Sequence, residues 1–359
     1  MKVRIKRIIA AVVFVCILIV SINSLGYFFR PNDMNTDCFA YLDKEDDNTL
    51  NVACIGSSAI YRFWIPQQAY EETGITSALV ATAAQDMEAI PYLMEEIAKT
   101  QEVDLFVVEV RNSIAIEANK LADKYDQTDN TGSFALVATG MKQSLNRLEM
   151  IHEILVEDEE NTELEWMLPL LKYHDNSHAF TADTIVSRLN GVGINDMYVR
   201  QTSAVNVNEK KEFIADDDYV YPQEDKEELD AIIEKGEELG IQVLLVATPY
   251  SPGKIRGALQ LQMNDYIEEQ GYPYLNMIGL EDEIGLDFNT DFYDSLHTNI
   301  NGAQKVTSYL ANYLNENYTF TSRLNETQTA HWEKMCEKWD TRAKELMEEW
   351  TTNKEKVEE

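Results

Sequence analysis

The feature that most constrains the fold is an alternation of short apolar runs with helical patterns after residue 49. Five runs rich in β-branched residues have the character of buried strands: LNVACI (50–55), TSALVA (76–81), DLFVVEV (104–110), IQVLLVAT (241–248) and YPYLNM (272–277). Helical patterns lie between them, and two of these end at Gly74 and Gly240, a residue type that commonly closes a helix. Strands that alternate with helices predict an α/β domain, with a parallel sheet sandwiched by helices.

The N-terminus is a basic cluster followed by a long apolar run. The cluster is Lys2, Arg4, Lys6 and Arg7, and the run is IIAAVVFVCILIVSINSLGYFF, residues 8–29. As a helix the run would span about 33 Å, which is enough to cross the hydrocarbon core of a bilayer. Because basic flanks stay on the cytoplasmic side, we predict a single-pass anchor over 1–30 in the cell membrane, with the main domain extracellular. A cleaved signal peptide is the alternative, since the uninterrupted apolar part is short.

The remainder is predicted to form a main domain over 45–318 and a C-terminal segment over 319–359. An insertion of about 112–225 separates the third and fourth runs, and its acid-rich helical stretches predict a helical cap over the strand ends. The C-terminal segment carries an apolar seam at three- and four-residue spacing: Trp332, Met335, Trp339, Ala343, Leu346 and Trp350. This seam predicts an amphipathic helix that docks on the domain or on another chain.

Charge and cysteine spacing argue against several functional classes. The chain has 63 acidic and 30 basic side chains and a net charge of −33. Such a surface repels nucleic acid, so no nucleic-acid partner is expected. The four cysteines, Cys16, Cys38, Cys54 and Cys336, contain no C-x-x-C pair. Together with the lack of a glycine-rich phosphate loop or nicotinamide fingerprint, this spacing implies no metal or cofactor.

Two motifs could carry chemistry. Gly56-Ser57-Ser58 follows the first run, at the sheet edge where ligands bind in parallel sheets. A helix cap is the simple interpretation, and a serine nucleophile, which needs a base, is the other. His297 is the histidine with an acid suitably placed to orient its ring, because Asp294 lies three residues earlier, after the last run. Of the other four, His152 is expected at the surface and His331 in packing beside the Trp seam, while structural and substrate-contact roles are both open for His174 and His178.

Taken together, these two motifs resemble the first and last blocks of the SGNH (GDSL-type) hydrolase superfamily. More narrowly, IGSSAIYRFWIPQQAYEETGI, LLVATPYSP and IGLDFNTDFYDSLHTNINGAQKVTSYL resemble exported, membrane-anchored proteins related to the D-alanyl-lipoteichoic acid transfer proteins. The resemblance covers about 45–115 and 225–315. It implies Ser58 as the nucleophile, His297 as the general base and Asp294 as its orienting carboxylate, with Ser57 bracing the turn.

The middle blocks depart from the pattern of that superfamily, whose second block supplies a glycine and whose third supplies Gly-x-Asn-Asp. This chain has ATAAQDM (81–87) and EVRNSI (109–114) instead, with Asn112 at the asparagine position. Asn112, Gln85 and Arg111 are therefore the candidates for oxyanion or substrate contacts. Tyr250, at the end of the fourth run, is expected in the same cleft or in a plain strand-terminating turn.

The resemblance implies an esterase or acyltransferase that modifies a cell-envelope polymer, such as a polysaccharide or a teichoic-acid-like polymer. It also implies a membrane-bound O-acyltransferase as a partner. Two alternatives remain open. One is a catalytically inactive domain of the same fold that binds polysaccharide or recruits the acyltransferase, and the other is a structural surface protein.

Overall fold

The computed structural model describes residues 2–30, 39, 42, 45–122, 131–154, 162–176, 181–182, 185–186 and 201–358. His178 and Cys38, which entered the sequence analysis, lie outside these ranges.

A five-stranded sheet forms the centre of the main domain. Its strands are β1 (Val52–Gly56), β2 (Ser77–Ala81), β3 (Leu105–Glu109), β4 (Gln242–Ala247) and β5 (Tyr274–Asn276). They are arranged in the order β2-β1-β3-β4-β5, and every neighbouring pair is parallel. All residues of β1, β2 and β3 are buried, because helices cover both faces of a parallel sheet. The predicted α/β class is confirmed. β2 to β5 lie within the runs that predicted them, and β1 extends one residue beyond its run, to Gly56.

Helices connect the strands and flank the sheet. They are α2 (Ser58–Tyr61), α3 (Pro66–Thr73), α4 (Ile90–Ala98), α5 (Ala115–Leu121), α10 (Gln223–Leu239), α11 (Lys254–Gln270), α12 (Glu281–Ile284) and α13 (Ile300–Asn317). As predicted, α3 and α10 end at Gly74 and Gly240, whose φ angles are 76° and 68°. Sequence reasoning missed α11, between β4 and β5. That helix buries the polar side chains of Gln260 and Asn264 among its apolar ones, which obscures the helical period.

The described residues of the insertion between β3 and β4 form two parts, a group of helices and an extended segment. Its further helices are α6 (Thr131–Gly140), α7 (Leu145–Ile154), α8 (Glu163–Met167) and α9 (Pro169–Tyr173). Asn146 of α7 donates to the Tyr92 carbonyl of α4 at 2.8 Å, so this group packs beside the sheet. Among the described residues of the insertion, 201–222 reach the strand ends, and they have no helix or strand. It runs along the loop after β5, where Ile300 N–H donates to the Thr202 carbonyl at 2.8 Å.

The N-terminal helix α1 (Lys2–Phe29) is largely exposed, and its stretch Arg4–Gly26 is long and apolar enough to cross a membrane. By length and composition it suits an anchor and a signal sequence alike. Its C-terminal end contacts the insertion. Asn176 donates to the Phe29 carbonyl at 2.8 Å, and Arg30 donates to the Thr139 carbonyl at 2.8 Å.

The C-terminal helix α14 (Glu326–Glu358) docks on its own domain. The seam residues Trp332, Met335, Trp339, Ala343 and Leu346 are buried. Trp339 packs with Ile65 and Ile300 in a small core between α14, α3 and α13. Trp350 donates from Nε1 to the Thr290 carbonyl at 2.9 Å. The helix therefore supports the back of the loop after β5 as well as covering α3.

Candidate functional site

The turn after β1 depends on a glycine and a serine cap. Gly56 has φ of +151°, and a Cβ built there would lie 3.0 Å from the Cβ of Glu109, so a side chain is excluded on two counts. Ser57 is the N-cap of α2, with extended backbone, and its Oγ accepts the N–H of Ala59 at 3.3 Å. The capping interpretation therefore applies to Ser57. Ser58 is the first helical residue, and its hydroxyl is left for another partner.

The loop after β5 holds Asp294 and His297 in one compact turn. Asp294 Oδ1 accepts the backbone N–H groups of Leu296 and His297 at 2.7 and 2.8 Å. The Asp294 carboxylate oxygens also lie 2.9 and 3.0 Å from Nδ1 of His297. Because the carboxylate accepts at Nδ1, the neutral imidazole carries its proton there and presents a lone pair at Nε2.

This turn is fixed by contacts with the start of α13. Asn299 caps α13, with its side chain accepting the N–H groups of Asn301 and Gly302. The buried Asp291 carboxylate accepts from Lys305 Nζ and from the Asn301 side chain, both at 2.7 Å. A Cβ on Gly302 would lie 2.3 Å from the Asp291 carbonyl oxygen, so only glycine permits this close approach.

The two motifs meet across the sheet edge. Nε2 of His297 lies 2.8 Å from Oγ of Ser58, although the residues are 239 positions apart. Nε2 is the unprotonated nitrogen, so the Ser58 hydroxyl donates to it. The structure thus brings Ser58, His297 and Asp294 into one hydrogen-bonded chain, at a distance suitable for proton transfer.

The electrostatics of this chain favour a neutral histidine beside an ionised aspartate. Burial lowers the pKa of His297, and the charges of Arg111 and Arg62 lower it further, against the raising effect of Asp294. For Asp294, burial acts to raise the pKa, but hydrogen bonds from the His297 ring and from the backbone outweigh it and lower the pKa. At neutral pH His297 is therefore able to accept a proton.

Arg111 is a brace that joins three parts of the site. Its Nε pairs with Glu109 at 3.0 Å, Nη1 donates to the Thr248 carbonyl at 3.2 Å, and Nη2 donates to the Leu296 carbonyl at 3.0 Å. Its guanidinium also lies 4.6 Å from the ring centroid of Tyr250. Glu109 is fully buried, and burial raises its pKa, opposed by Arg111. These donors of Arg111 are thus directed at protein groups. Through its bond to the Leu296 carbonyl, Arg111 positions the residue that precedes His297.

A cavity of about 150 Å³ opens beside the Ser58 hydroxyl. Its lining residues are Ser57, Ser58, Ala59, Ala84, Arg111, Asn112, Tyr250, Arg256, Leu296 and His297. The volume is small against the roughly 300–1,000 Å³ of pockets that hold drug-sized ligands. It has room for a short acyl group next to the serine.

One wall of the cavity presents polar hydrogens. Asn112 Nδ2 donates to the Gln85 carbonyl at 2.5 Å, and the second hydrogen on that nitrogen is available. Ala84 is exposed with φ of +50°, a conformation that glycine adopts without strain. The backbone N–H groups of Ser58 and Ala84 meet no acceptor within the part of the chain that the structure describes.

The sequence candidates therefore fall into two groups. Asn112, Arg111 and Tyr250 line the cavity beside Ser58 and His297. Gln85 does not, because its side chain is buried and its Oε1 accepts the N–H of Thr82 at 3.1 Å. What Gln85 contributes is the backbone carbonyl that orients Asn112.

Sequence reasoning missed three residues of the site. Ala84 lies in the ATAAQ segment where the superfamily has a glycine, so an alanine in a turn was its only signal. Glu109 ends an otherwise apolar run, and an acid in a buried strand suggests a buried partner. Arg256 is a basic residue just after β4 in a chain poor in basic residues.

The other described histidines lie away from this cavity. His152 is exposed and 3.0 Å from Glu163, His174 contacts the Leu171 carbonyl, and His331 is 3.9 Å from Glu45. Among the described residues, no group of three or more histidine, cysteine or acidic side chains is arranged to hold a metal ion.

No protein-family model matches the chain, and no curated protein matches it. Among solved structures, the chain is similar to a protein assigned to the G-D-S-L family of lipolytic proteins from Desulfitobacterium hafniense. The sequence identity is 9% and the TM-score 0.36, over 74% of this chain and 99% of that one. A similarity at this level supports no conclusion about activity, which has to be argued from the side chains described above.

Proposed function

We propose that this chain is a serine esterase or acyltransferase of SGNH type, with Ser58 as its nucleophile. The observation that carries the proposal is the chain of hydrogen bonds from Ser58 Oγ through the His297 ring to Asp294, with links of 2.8 Å and 2.9–3.0 Å. A capped turn needs no such partner, because Ser57 already provides the cap.

The proposed reaction has two halves. In the first, Ser58 Oγ attacks the carbonyl carbon of an ester while Nε2 of His297 takes the hydroxyl proton. The tetrahedral intermediate collapses, the bond to the alcohol breaks, and His297 returns the proton to the departing oxygen. In the second half, water or a sugar hydroxyl attacks the carbonyl carbon of the acyl-Ser58 ester while Nε2 of His297 takes its proton. The bond between the acyl group and Ser58 Oγ then breaks, and His297 returns the proton to Oγ. Water yields hydrolysis, and a hydroxyl yields transfer.

The developing negative charge on the carbonyl oxygen needs hydrogen-bond donors. Three groups at the cavity are suited to this role: the N–H of Ser58, the N–H of Ala84 and the free amide hydrogen of Asn112. The left-handed backbone of Ala84 supports this assignment, because an otherwise unfavourable conformation is retained where the surroundings enforce it.

The location and acceptor form part of the proposal. An N-terminal anchor with a basic cytoplasmic flank would hold the domain outside the cell membrane. There the acceptor would be a polysaccharide or a teichoic-acid-like envelope polymer, and a membrane-bound O-acyltransferase would be a natural partner for acyl supply. These assignments depend on the sequence resemblance, and the small cavity agrees with a short acyl group.

A fluorophosphonate probe tests the proposal directly, because it reacts only with a serine whose hydroxyl is activated. We expect covalent labelling of the full-length chain in detergent at Ser58, with loss of labelling in Ser58→Ala and in His297→Ala. Ser57→Ala is the matched control. It should still be labelled, with a stability loss of about 0.5–2 kcal/mol for the missing cap. Equal labelling of the native chain and Ser58→Ala would leave the inactive binding or recruiting domain as the better interpretation.

A further inference from the structure

Arg256 is a charged side chain in the wall of the Ser58 cavity. It lies in the first turn of α11, the helix that follows β4, and lines the same cavity as Ser58 and His297. It is half-buried and makes no hydrogen bond or ion pair with any residue that the structure describes. A guanidinium has five donors, and withdrawing an unpaired charge from water is costly. An arginine in this position is therefore a site with unused binding capacity.

Arg111, the other arginine of this cavity, differs from Arg256 because its guanidinium donors have acceptors in the protein. Arg111 directs its donors at Glu109 and at the carbonyls of Thr248 and Leu296. A ligand in the cavity therefore finds the donors of Arg111 already engaged, and those of Arg256 available. Burial lowers the pKa of Arg256 and the charge of Arg111 lowers it further, against a raising effect of Tyr250. A bound anion would offset both unfavourable effects.

A second cavity lies beyond Tyr250. It has a volume of about 420 Å³, and its lining includes two basic and two acidic side chains, which are Lys210, Lys211, Glu212 and Glu281. Lys210 pairs with Glu281 at 3.0 Å, whereas Lys211 is exposed and has no side-chain partner among the described residues. The second cavity therefore has no excess of basic side chains, and Arg256 in the first cavity carries the case for an anion.

We propose that Arg256 is a specificity-determining residue that binds a phosphate or carboxylate group carried by the ester substrate. This rests on the proposed function, since it defines the substrate class of the same cavity. The anionic group lies beside the ester that Ser58 attacks, and the rest of a larger molecule extends past Tyr250 into the second cavity. Guanidinium groups suit both anions, because their planar fork binds two oxygens at once.

Binding is measured with the full-length Ser58→Ala chain in detergent micelles, so that no turnover is needed. Ligand-observed NMR titrations compare monomethyl succinate with dimethyl succinate, and glycerol 3-phosphate with glycerol. We expect each anion to bind about tenfold or more tightly than its neutral counterpart. The further substitution Arg256→Gln, made in the Ser58→Ala chain, should remove that preference for the anion. Arg256→Lys should keep part of it, because the charge remains while the fork is lost.

The matched control is Lys254→Gln, which removes a positive charge from the same helical turn. Lys254 is exposed and pairs with Asp216 at 2.6 Å, outside the cavity lining. It should retain the full preference for anions. If Arg256→Gln and Lys254→Gln bind the anions equally well, the proposal is overturned. A preference for only one of the two anions identifies which group the substrate carries.

Fluorophosphonate labelling of the otherwise native chain separates the two proposals. If Ser58 is labelled but anion binding is unchanged by Arg256→Gln, only the specificity role of Arg256 is overturned. Absence of labelling combined with Arg256-dependent binding overturns the esterase and leaves the anion site established. Unfolding temperatures of all variants check that each comparison is made on folded protein.

Discussion

The two sides of the Ser58 hydroxyl are held in different ways. The proton-transfer side, residues 287–302, carries His297 and Asp294 in a turn whose polar groups are engaged by the protein. The donor side, residues 82–86 together with Asn112, keeps Ala84 at φ of +50°. There the side-chain atoms Thr82 Oγ1 and Gln85 Nε2 have no hydrogen-bond partner among the described residues.

The contrast fits the different tasks of the two sides. A base must be oriented before substrate arrives, so the protein uses its own hydrogen bonds to fix the histidine. Donors for an oxyanion must stay available, because the charge they stabilise exists only during the reaction. Under the proposed mechanism, damage to the proton-transfer side should abolish the chemistry, whereas changes on the donor side should have smaller and graded effects.

The largest effect is expected for His297→Ala. Without the Nε2 acceptor the Ser58 hydroxyl loses its base, and kcat on 4-nitrophenyl acetate should fall by about 10⁴-fold or more. His152→Ala is the control, because that exposed histidine lies away from the cavity and its loss should leave kcat unchanged. Similar rates for the two variants would contradict the assignment of His297.

A smaller loss is expected for Asn112→Ala on the donor side. Removal of one oxyanion donor typically costs about 10²–10³-fold in kcat, and KM should change little because the donor acts in the transition state. Asn112→Asp keeps the size but removes the amide hydrogens, so it should lose a similar factor. Asn317→Ala, an exposed asparagine on α13, serves as the folded control. A large rise in KM with unchanged kcat would assign Asn112 to substrate binding instead.

The pH dependence isolates the proton-transfer side without a substitution. Protonated His297 cannot accept the Ser58 proton, so kcat/KM should fall about tenfold per pH unit below the pKa of His297. Because burial and the nearby arginines lower that pKa from 6.5, activity should persist at pH 6.5 and decline only in more acidic solution. A rate profile with its midpoint above 6.5 would show that Asp294 outweighs those effects.

The smallest effect is expected for Ala84→Gly. Glycine relieves the left-handed backbone but adds freedom to the unfolded chain, so the free energy of unfolding should rise by no more than about 1 kcal/mol, with activity retained. Ala83→Gly, one position earlier and without positive φ, should instead lower it by about 0.5–1 kcal/mol. Equal destabilisation in urea unfolding would mean that Ala84 is not strained.

The sheet could be predicted because its signals are local. Buried parallel strands are apolar on both faces, so each of the five runs shows directly in the sequence. Local signals also place Gly74 and Gly240 at helix ends. They fail for α11, where Gln260 and Asn264 are buried by tertiary packing, and for residues 201–222, whose hydrogen bonds go to a loop about 90 positions away.

The candidate site divides in the same way. Ser58, Asp294 and His297 could be proposed because they belong to short motifs at strand ends. The brace made by Arg111 could not, because the carbonyls it contacts lie 137 and 185 positions away. Gln85 was selected by type, yet only the fold shows that its side chain turns away from the cavity. The sequence likewise gives no sign that Arg256 lacks a hydrogen-bond or ion-pair partner among the described residues.

The contacts at the end of α1 bear on how far the cavity can reach. A domain on a flexible linker sweeps a volume that grows with linker length. Here Phe29 and Arg30 are hydrogen-bonded to Asn176 and Thr139 of the insertion, and a Cβ on Gly26 would lie 3.1 Å from the Leu170 nitrogen. A membrane-spanning α1 would then hold the cavity at one fixed distance from the bilayer. An enzyme mounted in this way would choose its acceptors by their distance from the bilayer as well as by their chemistry.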